Sequence, residues 1–396
     1  MENTINRRPS TLGAIFLVTG CCIGAGMIGL PMMSALAGFL PSTLAMVFCY
    51  FFTTITGLLL LEATLWFPHT VNLISIVEFS LGKVGKYFTW ILFLFLFYCL
   101  FVAYMDGGGD IINSYLTHIT HKTFAREVGI AICVSFVFLI TYCGTHFVDK
   151  INRILLISLV IAYCLLVSAG IGHVSKANLA ITNWNGAIAT IPILFICFGY
   201  QNLVPTLTQY LKRNHQAVQL AIIIGNALPF FIYLLWNFVI LGLYDAKNVV
   251  TVQTNIVEQL LQGVSHSPVI GFSLQAFAMF ALLTSFIPNT VTFVHFLKDG
   301  FKLHMDNKHK YELLIYLLVF VPPLICTLIY PSLFLKALDF AGGFVDVLLF
   351  GVLPALVILV GRYQKQMQGE YQVIGGKSIP ILILIFSIII LLIKHH

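Results

Sequence analysis

Gly20-Cys21-Cys22-Ile23-Gly24-Ala25-Gly26-Met27-Ile28-Gly29-Leu30-Pro31 places four glycines and a proline in twelve residues, near the middle of an apolar run. In a helix interior each glycine costs up to about 1 kcal/mol and proline about 3 kcal/mol. No Asp, Glu, Lys or Arg occurs from Pro9 to Leu61, which is room for two membrane-crossing helices of about 20 residues each. Lipid offers no hydrogen bonds, so a break inside such a helix is tolerated only where protein or a water-filled cavity lines it. A second interruption lies at Pro192 to Pro205, where Gly199 is followed by Tyr200, the amides Gln201 and Asn202, and a proline. Taken alone, the first stretch also fits a close-packing seam of small residues, Gly20-xxx-Gly24.

Outward from these stretches the whole chain reads as membrane. Of 396 residues, 59% are hydrophobic and 9% charged, against roughly 25% charged in a soluble domain. A water-soluble globule and a disordered chain are both excluded. The charge-free runs are too long for barrel strands of roughly 10 alternating residues. Cut at their turn signals, they give eleven helices, over 11–37, 43–66, 85–113, 127–146, 151–172, 187–211, 216–243, 268–297, 312–331, 336–361 and 378–394. The expected fold class is an all-α integral membrane protein with one transmembrane domain over 1–396. A cleaved leader is the competing view of the N-terminus, but the run exceeds a 7–15-residue apolar segment and contains Pro31. The nine cysteines fall inside predicted helices with no CxxC pair and read as small buried apolar residues.

With the N-terminus in the cytoplasm and sides alternating, fifteen of the twenty-one basic residues fall inside. That asymmetry supports the orientation and an outside C-terminus. The two interruptions lie five spans apart. Five is odd, so spans one to five (about 11–172) and six to ten (about 187–361) have opposite topology, with an extra helix at about 378–394. Inverted repeats with a substrate site at interrupted helices are a transporter pattern. An opened helix offers N–H groups to a carboxylate and C=O groups to an ammonium or cation, so such a pocket suits a zwitterion.

These residues carry a resemblance. The chain resembles the aromatic amino acid permease family of the amino acid–polyamine–organocation superfamily, most of all its tyrosine-specific and tryptophan-specific members. The matching stretches are Gly24 to Pro31, Phe198-Gly199-Tyr200-Gln201-Asn202, Leu59-Leu60-Leu61-Glu62-Ala63 and Gly375-Gly376-Lys377. The resemblance implies a LeuT-type 5+5 inverted repeat, proton-coupled uptake and a bacterial inner membrane. It implies that Gly24, Ala25 and Gly26 give amides to the substrate carboxylate, and that Phe198 and Gly199 give carbonyls to its ammonium. Tyr200, Gln201 and Asn202 would shape the side-chain pocket.

Other candidates come from depth. Asp346, after Gly342-Gly343, lies about ten residues into span ten, near the midplane at a 1.5 Å rise. Buried acids are costly and are functional candidates by default, so Asp346 is the best-placed proton carrier. Its alternative is a structural acid. Asp106 and Asp110, four apart on one face, are expected to be solvated acids toward the outer end of span three, with an outer-vestibule lure as the alternative. Glu62 is expected in an inner gate or a structural contact. Tyr98, near mid-depth of span three, and Tyr104, further out, are candidates for stacking on an aromatic substrate or gating it, although most aromatics in so aromatic a chain simply pack. Ser285 and Asn289 share a face of span eight, which in sodium-coupled relatives borders a cation site, although hydroxyl packing is the commoner explanation.

The expected function is import of aromatic amino acids, tyrosine first, by proton symport with alternating access. Tryptophan or another neutral amino acid, sodium coupling and a small-solute channel remain alternatives. No enzyme constellation, metal site or cofactor is implied, and no P-loop of the GxxxxGK[ST] kind occurs. The expected partners are an amino acid, protons and membrane lipid, with no nucleic acid. Oligomeric state is open.

Overall fold

The computed structural model describes residues 10–69, 71–243, 268–301 and 311–394. The predicted loop 244–267 and several basic residues of the charge count, Arg7 and Arg8 among them, lie outside these. All regular structure among the described residues is helical: α1 Thr11–Cys22, α2 Gly26–Ala35, α3 Phe39–Leu65, α4 Leu73–Thr120, α5 Arg126–Tyr142, α6 Thr145–Gly170, α7 Trp184–Cys197, α8 Val204–Tyr210, α9 His215–Leu243, α10 Pro268–Gly300, α11 Glu312–Ile329, α12 Phe334–Phe340, α13 Leu353–Tyr363 and α14 Ser378–Lys394, with short 3₁₀ and helical turns between some of them. Among the described residues, eight spans are long and apolar enough to cross a membrane, with α7–α8 and α12–α13 each forming one of them. The pair α1–α2, bent by 57°, makes a ninth. The predicted fourth and eleventh spans are the shorter helices α5 and α14.

Both expected interruptions are breaks. α1 stops at Cys22 and α2 starts at Gly26. α7 stops at Cys197, a 3₁₀ turn covers Gln201–Leu203, and α8 follows. Packing joins them: α2 and α3 both lie on α7, while α1 lies on α9 and α6 on α10.

Several helices carry internal prolines, and a proline removes the N–H that would serve the carbonyl four residues earlier. Neighbouring side chains supply the donor at three of them. Trp236 donates its indole N–H to Met27 O at 2.8 Å, four residues before Pro31. Thr19 donates to Gly225 O at 3.1 Å, four before Pro229. Tyr98 donates to Leu318 O at 3.0 Å, four before Pro322.

Three sequence expectations are corrected. Asp106 and Asp110 are not solvated helix ends; they are 1% and 5% exposed. The reason is length, since α4 continues to Thr120 rather than ending near 113. Asp106 is paired with Arg126 and accepts the Phe334 amide at 2.8 Å, so it ties α4 to the starts of α5 and α12. Arg362, counted as a loop residue, is buried; its Nε donates to Glu62 at 2.5 Å and its Nη2 completes a two-point ion pair. The cysteines are not all buried: Cys21 lines the central cavity, while Cys143, Cys164 and Cys326 are exposed, because a membrane helix turns apolar side chains outward as well as inward.

Candidate functional site

The break between α1 and α2 leaves backbone groups that need partners, and α9 and α10 supply them. Tyr233 of α9 sends its hydroxyl to Cys22 O at 2.6 Å and sits 3.0 Å from Cys197 O. One phenol thus bridges the last carbonyls of α1 and α7. Ser285 of α10 accepts the Ala25 amide at 3.1 Å. A Cβ on Gly24 would collide with the Ser285 hydroxyl, so glycine is what lets α10 approach the break. At the opening of α2 the Met27 amide donates to Gly24 O at 3.0 Å and the Ile28 amide to Ala25 O at 3.1 Å.

The second break meets the last long span. α12 passes into π-helical turns over Ala341–Asp346 and Leu348–Val352 before α13 begins. Such turns occur often at functional sites. Gly342 makes the approach possible, since a Cβ there would strike the Pro192 carbonyl of α7. This contact sets the Asp346 carboxyl beside Gly199, with Oδ2 3.9 Å from where a Gly199 Cβ would stand. Asp346 is 2% exposed and its Oδ1 has no hydrogen-bond partner.

Between the breaks is a cavity of about 110 Å³, smaller than the roughly 300–1,000 Å³ of ordinary ligand pockets. Gly24, Ala25, Gly26, Gly199, Asn202, Ser285, Asn289 and Asp346 line it, all of them singled out in the sequence. The rest of the wall includes Phe93, Phe97 and Phe350 with the Tyr104 ring. Tyr104 accepts from the Asn289 amide at 3.0 Å. The Gly199 carbonyl meets the Cys21 thiol at 3.7 Å. One cavity therefore holds helix-start amides, a carbonyl, a carboxylate and an aromatic wall.

Other candidates lie elsewhere. Phe198 is fully buried with its ring edge-on to Tyr233, and its carbonyl accepts the Tyr200 amide at 3.1 Å. Tyr200 is buried against Gly57 of α3 and donates to Thr53 O at 3.0 Å. Gln201 is buried with its amide 3.4 Å from the Thr56 hydroxyl, and its carbonyl oxygen has no partner. Tyr98 is turned to α11 by the Leu318 bond. Glu62 holds Arg362 and the Val373 amide, the latter at 2.8 Å, outside the cavity. Sequence reasoning missed Tyr233 and Trp236. The proline at 31 signalled a carbonyl in need of a donor, but nothing local named the donor.

The comparisons agree with this architecture. The family model described as the tryptophan/tyrosine permease family matches residues 7–394. The chain is similar to the tyrosine-specific transport system 1 of Haemophilus influenzae, at 28% identity over 96% of this chain and 95% of that protein. It is equally similar, at 28% identity over 97% and 94%, to the tryptophan-specific transport protein of Shigella flexneri. The glutamine transporter 2 of Aliivibrio fischeri is 27% identical over 96% and 98%. Among solved structures, MhsT in complex with L-phenylalanine superposes with a TM-score of 0.67 over 98% of both chains at 15% identity. That likeness speaks for the fold alone, a LeuT-like all-α one. The chain belongs to the tryptophan/tyrosine permease family and is a membrane transporter, not an enzyme.

Proposed function

We propose that the chain imports aromatic amino acids, tyrosine first, by proton symport across a bacterial inner membrane. The observation that carries this reading is the central cavity, where both helix breaks, the Asp346 carboxyl and a phenylalanine wall converge. The substrate carboxylate meets the amides of the Gly24–Gly26 segment, and displaces or shares the Ser285 hydroxyl that Ala25 now holds. The ammonium meets the Gly199 carbonyl. The aromatic ring lies among Phe93, Phe97, Phe350 and Tyr104. Asn202 supplies an amide to a phenol or indole. Asp346 carries the proton, because it lines the cavity, one of its oxygens has no partner and no basic side chain lines the same cavity.

In this reading the protein crosses the membrane eleven times, N-terminus inside. Two five-span repeats, about 11–172 and 187–361, rock against each other around the site. Support comes from the facing breaks and from the relatives named tyrosine- and tryptophan-specific. Tryptophan is the second reading, favoured by equal identity to relatives of both names. The test is uptake of labelled tyrosine in the presence of each of the twenty amino acids in excess. Competition by tyrosine, tryptophan or phenylalanine alone supports the reading. Absence of saturable tyrosine uptake, or competition by glutamine stronger than that by every aromatic amino acid, overturns it.

A further inference from the structure

A second cavity, of about 490 Å³, lies where the end of α3, the residues 66–69 after it and α8 meet, and it shares no lining residue with the central one. We propose that it binds a phosphate-bearing anion. Its wall contains Lys212, Arg213 and His69, and no carboxylate. Among the described residues neither Lys212 nor Arg213 is paired with an acid. Arg213 is half-buried and its guanidinium is clamped by two neutral acceptors, Leu65 O at 2.9 Å and Phe67 O. The clamp fixes the direction of the fork without neutralising its charge. A rigid guanidinium fork matches phosphate oxygens, and a lysine adds a mobile charge beside it.

The backbone points the same way. Lys212 and Arg213 are consecutive residues with φ of 51° and 63°, a left-handed conformation that glycine adopts without strain. Their amides close α8 on Gln209 O and Thr208 O. Two basic side chains thus stand where a helix end normally takes glycine, and strain of that kind is kept where the surroundings require it. The Thr64 and Thr208 hydroxyls in the wall donate to Leu60 O and Val204 O of their own helices. The cations, His69 and the exposed Gln209 amide are therefore the donors left for a ligand. A phosphodiester headgroup of an anionic lipid and free phosphate share this chemistry, and basic pockets between membrane helices bind such headgroups.

The test uses the full-length protein purified in a neutral detergent. Its thermal unfolding midpoint is measured with short-chain phosphatidylglycerol, short-chain phosphatidylcholine or inorganic phosphate. Phosphatidylglycerol at saturation should raise the midpoint by about 5 °C, phosphatidylcholine should not, and Lys212→Gln with His69→Gln should abolish the rise. Lys212→Gln alone, at an exposed side chain, should weaken the effect about tenfold in concentration if the double variant does not fold. A rise with phosphatidylglycerol only assigns the site to a lipid headgroup. An equal rise with phosphate assigns it to a soluble anion. Equal midpoints under all three conditions, or a rise that survives the substitutions, overturn the proposal. None of these outcomes depends on which amino acid is transported.

Discussion

Trp236 donates its indole N–H to the carbonyl of Met27, the acceptor that Pro31 leaves without a backbone partner. The broken helix can therefore persist in an apolar setting because α9 completes it. Trp236→Phe keeps the ring but orphans that carbonyl, at a cost of about 1–3 kcal/mol. The unfolding midpoint in detergent should fall. Adding Pro31→Ala to the same chain returns the missing N–H and should recover part of the loss. No recovery would show that the indole acts through packing alone.

Tyr98 and Tyr104 should separate cleanly. Tyr98→Phe leaves Leu318 O without its donor and should lower stability by about 1 kcal/mol, with KM for the substrate unchanged. Tyr104→Phe removes the acceptor of Asn289 in the cavity wall and should raise KM with little change in stability. Measured KM and unfolding midpoints of the two variants decide it.

Glu62 and Arg362 form a buried ion pair joining α3 to α13. Removing one partner leaves a buried charge unpaired, at a cost of about 3–5 kcal/mol. Glu62→Gln should be strongly destabilised. Glu62→Gln with Arg362→Met should fold better than either single variant, which a double-mutant cycle of unfolding midpoints tests.

Gly24→Ala should abolish uptake, because the new methyl collides with the Ser285 hydroxyl. Ser285→Gly in the same chain clears the space and should restore measurable uptake. Failure of the rescue would mean that the Ser285 hydroxyl is itself required.

How much of this was legible in the sequence depends on the range of the interaction. Helix positions follow from charge-free runs, and α9 and α14 lie within a residue of expectation because polar turns flank them. The breaks were legible too, since glycine and proline act locally. Asp346 was placed by counting residues at a fixed rise. The same counting failed for Asp106, because a mixed polar and apolar stretch continues α4 beyond its last glycine to Thr120. Tyr98 and Tyr104 lie six residues apart, about 240° round a helix, and the sequence does not say which face meets the cavity. The partners of the freed carbonyls were illegible for the same reason: Trp236 lies 209 residues from Met27, and only packing brings them together.

The central claim is that a proton gradient drives an aromatic amino acid through a cavity holding Asp346. The most direct measurement is uptake of labelled tyrosine into proteoliposomes under an imposed proton gradient, a sodium gradient or neither, for the wild type and Asp346→Asn. The account predicts saturable accumulation above equilibrium under the proton gradient only. It also predicts that Asp346→Asn equilibrates tyrosine without concentrating it and without dependence on pH. Accumulation driven by sodium alone, or proton-driven accumulation that Asp346→Asn leaves intact, would contradict it.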